Sequence, residues 1–108
     1  MIKLYEVYSK GLRMLIPAKN RFEAYVRFCK ENKDRIKEMA QLITCVDDGD
    51  EYPIATAPLL YILGIIDRET AIINVRYVTG CSYEEAEKLL DKSVKRIMRN
   101  LKKYGVIS

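Results

Sequence analysis

Seven apolar or aromatic positions near the end of the chain recur at steps of three and four residues: Tyr83, Ala86, Leu90, Val94, Ile97, Leu101 and Tyr104. Only an α-helix returns side chains to one face at that spacing. Ser82, with Glu85 three residues later, forms a capping box that opens the helix, and Gly105 closes it. A helix this long with a single apolar face needs a surface to cover that face, so the rest of the chain must supply one.

The other side of the same helix is basic. With Leu90 set at zero and 100° allowed per residue, the apolar stripe from Leu90 to Tyr104 stays within about 40° of zero. Lys92, Lys95, Arg96, Arg99, Lys102 and Lys103 all fall between about 120° and 240° on that wheel. No acid lies among them. Cations near a helix C-terminus complement the macrodipole, and so do Glu84, Glu85 and Glu87 at its start. A row of this kind also matches a phosphate backbone, where each Lys or Arg displaces a condensed counterion.

Charge is partitioned along the whole chain. Residues 1–40 hold ten Lys/Arg and five Asp/Glu, residues 41–91 hold three and ten, and residues 92–108 hold six and none. The net charge of +4 therefore hides two basic ends around an acidic middle. That middle is densest at Asp47-Asp48-Gly49-Asp50-Glu51, which reads as a turn. A calcium loop needs acids at positions 1, 3 and 5, Gly at 6 and Glu at 12, and starting from Asp48 the twelfth position is Leu59. Asp47, Asp48, Asp50 and Glu51 could instead face a basic protein partner, imitating phosphates.

With 108 residues, 49% apolar and 31% charged, the chain is expected to form a single domain, residues 1–108. Ile2–Ser9 and Leu12–Ile16, joined by Lys10-Gly11, predict a β-hairpin over 2–16 that Pro17 ends. Asn20 with Glu23 opens a helix whose Phe22, Tyr25, Val26 and Cys29 share a face. Asn32-Lys33-Asp34 interrupts the stripe, and Ile36, Met39, Ala40 and Ile43 resume it, giving a kinked helix or two consecutive ones. Leu42–Val46 either finishes that helix or forms a short strand, and the strand is preferred.

Thr56 is the expected cap of a helix with Pro58 in its first turn, followed by an almost wholly apolar segment, Leu59–Ile66. Asp67 caps the next helix, lined by Ala71, Ile72, Val75 and Val78 and stopped by Gly80. The fold class is thus α+β: an N-terminal hairpin packed on a helix-dominated region, 20–104, that ends in the long basic helix.

Several function classes lack their residues. There is no histidine, hence no Ser-His-Asp or Cys-His arrangement, no zinc set with Cys29, Cys45 and Cys81, and no Gly-rich phosphate loop. No catalytic residue, cofactor or metal is expected. Cys29 beside Lys30 is the sole candidate for a reactive thiol, against the expectation that all three cysteines are reduced and mostly buried. Tyr5, Tyr8 and Tyr25 lie near Lys3, Arg27 and Lys30 in sequence, where they would form either a stacking surface or core. Charge interrupts the first residues too early for a signal core, and the uncharged run Tyr52–Ile66 is too short to span a bilayer, so no membrane and a cytoplasmic location are expected.

Tyr77-Val78-Thr79-Gly80-Cys81-Ser82-Tyr83-Glu84-Glu85-Ala86 resembles the start of the helix-turn-helix in sigma-factor region 4 and related phage regulators. The resemblance covers ten residues and would imply DNA binding, but Leu89–Val94 continues the helical period without the turn that a recognition helix requires.

Two expectations follow. One is a small non-enzymatic regulator binding nucleic acid or a nucleoprotein through Lys92, Lys95, Arg96, Arg99, Lys102 and Lys103. The other is a protein-binding inhibitor of phage or mobile-element origin, of the anti-CRISPR or anti-restriction type, that blocks a host nucleic-acid-processing or defence enzyme through Asp47, Asp48, Asp50 and Glu51. Self-association as a homodimer is a third route.

Overall fold

Strands β1 (Lys3–Ser9) and β2 (Leu12–Ala18) form the N-terminal hairpin, with Ser9 opposite Leu12 and Gly11 taking the positive φ of the two-residue loop. The computed structural model describes residues 1–37 and 42–107. Among them the chain continues through helices α1 (Arg21–Glu31) and α2 (Lys33–Ile36), strands β3 (Leu42–Asp47) and β4 (Asp50–Ala55), and helices α3 (Thr56–Ile62), α4 (Arg68–Thr79) and α5 (Tyr83–Lys103). The strands form one antiparallel sheet in the order β2-β1-β3-β4. This is the α+β class with its N-terminal hairpin and long final helix.

The sheet is covered on one face. Tyr5, Val7, Leu12, Ile16, Ile43 and Cys45 point into the core against Phe22, Phe28 and Cys29 of α1. Leu59 and Leu60 of α3 and Ile97 and Leu101 of α5 complete this cluster. A smaller cluster joins Ala71 and Ile72 of α4 to Ala86 and Leu90 of α5, and Ile66 packs against both. The apolar stripe of α5 thus reaches into two cores, one at each half of the helix.

Helix ends follow sequence chemistry. The side chains of Asn20, Asp67 and Ser82 accept from the backbone N–H groups of Glu23, Thr70 and Glu85 at 2.9, 2.8 and 3.2 Å. Gly80 ends α4 in the left-handed region at φ +72. The break at Asn32 resolves into two consecutive helices.

Four expectations need correction. The stretch 20–104 is not continuously helical, because β3 and β4 occupy 42–55. Strand β4 was not foreseen: Asp50 and Glu51 are charged and Pro53 lacks an N–H, which leaves only Tyr52 and Ile54 to show the inward alternation. The signal that gives it away is Asp48-Gly49, with φ of 52 and 84, a two-residue loop with both central residues left-handed. Pro17 does not end β2, which runs to Ala18; β2 and β4 are the two sheet edges, where proline is tolerated.

The cap of α3 is Ala55 rather than Thr56, which is its first residue and is buried. Val78 is 60% exposed, because the contact of α4 with the smaller cluster runs through Ala71, Ile72 and Val75 and stops short of it. Met39 and Ala40, expected to extend the stripe of α1, lie outside the described residues.

Phe28 is wholly buried between α1 and the sheet, whereas Leu15 on the open sheet face is 63% exposed. Phe28→Ala is expected to destabilise by about 3–5 kcal/mol and Leu15→Ala by less than about 0.5 kcal/mol in urea unfolding. Equal effects would mean that the covered face of the sheet is misassigned.

Candidate nucleic-acid interface

The six cations of the basic face of α5 are placed by the helix that carries them. Burial of Leu90, Ile97 and Leu101 fixes its rotation, which leaves Lys92, Lys95, Arg96, Arg99, Lys102 and Lys103 all exposed. None of them forms a salt bridge among the described residues, whereas five cations elsewhere do. Arg68 bonds Asp91 at 2.9 Å and Glu87 at 3.3 Å, which raises its pKa and lowers that of Asp91. Arg27 lies 3.4 Å from Glu23, Lys37 lies 3.9 Å from Asp34, and Arg13 pairs with Glu6.

The acidic turn is used within the fold. Lys3 of β1 bonds both Asp47 and Asp48, the latter at 3.0 Å, and these bonds raise the lysine pKa. Glu51 accepts the Tyr8 hydroxyl at 2.9 Å, which holds that phenol protonated to higher pH. Three of the four acids are therefore engaged by β1, and Asp50 stays exposed. Tyr5 and Tyr25 are core residues, and Tyr8 stands on the open sheet face beside Arg13.

A groove runs along one flank of the basic face. Its volume is about 440 Å³, and Arg21, Tyr52, Arg96 and Asn100 line it together with apolar residues of β4 and α3. The Arg21 guanidinium carbon lies 4.1 Å from the Tyr52 ring centroid and 5.2 Å from that of Phe22. Phe22 in turn stacks on Tyr104 at 5.1 Å. The Tyr25 hydroxyl donates to the Tyr52 carbonyl, and burial pushes its pKa up, so it remains a neutral donor. No carboxylate pairs with Arg21 or Arg96 among the described residues. The result is a fixed guanidinium fork in a recess of excess positive charge, suited to a planar anion or phosphate.

Sequence reasoning reached Arg96 and missed the rest of this recess. Asn100 was legible in part: at about 280° on the wheel it sits next to Arg96, four residues earlier. Arg21 and Tyr52 are brought beside it only by the packing of α1 and the unforeseen β4.

The two buried thiols are poor nucleophiles. Burial pushes Cys29 up to about 12 and Cys45 to about 11, and Lys30 is exposed rather than turned toward Cys29. Cys81 is half-buried, 2.9 Å from the Thr79 hydroxyl. No helix among the described residues is long and apolar enough to cross a membrane. Exposed apolar side chains occur at Leu4 and Leu15 on the open sheet face and at Ile73, Tyr77 and Val78 on α4.

In the folded protein at pH 8, Cys81 is expected to react with a thiol reagent well before Cys29 and Cys45, which should label only on unfolding. Fast labelling of Cys29 would reopen it as a reactive group.

Compared with known proteins, the chain matches no family model, no curated protein and no solved structure.

Proposed function

We propose that this protein is a small non-enzymatic regulator that binds nucleic acid, alone or within a nucleoprotein, through the basic face of α5. The observation that carries the reading is clustering: Lys92, Lys95, Arg96, Arg99, Lys102 and Lys103 stand exposed on one face of α5 with no acid among them, and none has a carboxylate salt-bridge partner among the described residues. A rigid helix sets their spacing. Lys92 to Lys103 span about 17 Å, which at 3.4 Å per phosphate along one strand faces about five phosphates. Such contacts position a nucleic acid without reading its sequence.

The inhibitor reading has weaker support. Asp47, Asp48 and Glu51, which it needs as a phosphate-like surface, serve Lys3 and Tyr8 in holding β3 and β4 to β1.

Fluorescence anisotropy with labelled single- and double-stranded oligonucleotides at two salt concentrations tests the proposal. With about five phosphate contacts, duplex affinity should fall about five-hundredfold between about 50 and 200 mM salt. The Lys92→Ala, Lys95→Ala, Arg96→Ala, Arg99→Ala variant should flatten that dependence by about 3–4 units of log–log slope. Salt-independent binding, or an unchanged slope in the variant, would remove α5 as the interface.

A further inference from the structure

Arg96 belongs both to the basic face and to the groove beside it, and the groove differs in character from the face. The face is open, convex and purely cationic, whereas the groove is recessed and joins two guanidinium groups to an aromatic ring, a side-chain amide and apolar walls. Arg21 is held against Tyr52 at 4.1 Å, so its N–H fork is fixed before any ligand arrives. The groove also continues into an adjoining recess of about 220 Å³ between α3, α4 and α5, with Leu42, Ala55, Pro58 and Ser93 common to both. There the Asn74 Nδ2 is buried with no hydrogen-bond partner among the described residues.

We infer that this groove receives nucleotides of a single strand, with a phosphate on Arg21 and Arg96 and an unstacked base against the recessed apolar wall. The inference rests on the reading of α5 as a nucleic-acid surface and adds strandedness to it. Each part of the recess has a matching part in such a ligand. The guanidinium groups match a phosphodiester in charge and geometry. Asn100 offers a donor and an acceptor to a base edge.

A volume of about 440 Å³ lies within the range of small-ligand clefts. A stacked base in a duplex does not reach into such a recess, whereas single strands present splayed bases to aromatic and guanidinium planes. The shared Arg96 makes the two surfaces continuous, so a strand whose phosphates follow α5 turns its bases toward the groove.

The test compares a labelled single strand of about 16 nucleotides with its blunt duplex, for the wild type and two groups of variants. Expected results are a preference for the single strand of about tenfold in the wild type, and its loss in Arg21→Met and in Asn100→Ala. The Lys95→Ala, Arg99→Ala, Lys102→Ala variant, altered only outside the groove, should weaken both ligands and keep the ratio between them. Circular dichroism confirms that each variant is folded, and adenosine 5′-monophosphate titrated into wild-type protein should shift the amide resonances of Arg21, Tyr52 and Asn100.

Equal affinity for both ligands in the wild type, or a preference that survives in both groove variants, overturns the groove while leaving α5 as the interface. Absence of all oligonucleotide binding overturns the reading of α5 itself. The single-strand reading of the groove falls with it, and a mononucleotide that still shifts those three resonances leaves only a small-anion site there.

Discussion

Burial of the α5 stripe is the constraint on which the rest of the structure depends. Ile97 and Leu101 enter the main core under the sheet, and Ala86 and Leu90 enter the smaller one against α4. One helix therefore ties two clusters that also meet around Ile66 and α3. Rotating it by even one residue's worth, about 100°, would drive charged side chains into both. The same apolar contacts that hold the fold together thus fix which way Lys92, Lys95, Arg96, Arg99, Lys102 and Lys103 face. Fold and candidate surface are two consequences of one helix rotation.

The second determinant is where the acids go. An acidic middle segment has enough carboxylates to neutralise much of the basic ends. Instead Asp47 and Asp48 bind Lys3, Glu51 takes the Tyr8 hydroxyl, and Glu87 and Asp91 bind Arg68. Glu87 and Asp91 even belong to α5, but they lie on its first half and turn toward α4. Exposed pairs of this kind contribute little each, so their main effect is on the pattern of charge. They spend the negative charge near the sheet and α4 and leave the second half of α5 uncompensated.

Legibility followed the range of the interaction. Capping at Asn20, Asp67 and Ser82, the glycine stop of α4 and the period of α5 depend on residues within one or two turns, and all were readable from the sequence. The basic face was readable for the same reason, since a helical wheel is a local construction. Strand β4 was not, because an edge strand with one inward face shows only Tyr52 and Ile54, and Pro53 argues against a strand unless its edge position is known. The groove was hidden with it. Arg21, Tyr52 and Asn100 are far apart in sequence, and no local pattern marks residues that meet across a helix, a strand and another helix.

The helix dipole accounts for part of the basic face and not for the whole of it. Its effect falls off within the last turn, which covers Lys102 and Lys103. Lys92, Lys95 and Arg96 lie two to three turns from the C-terminus of α5, where the dipole gives a cation no advantage over a neutral polar residue. Six like charges on one face also repel one another, and alternating acids at i and i+4 would have relieved that while favouring the helix. The first half of α5 does carry acids among its exposed positions, at Glu84, Glu85 and Asp91. The second half carries none. A solvated helix requires polar residues on its outer face but not residues of one sign, and the run from Lys92 to Lys103 has only one sign. A polyanion lying along that face supplies the missing counter-charge.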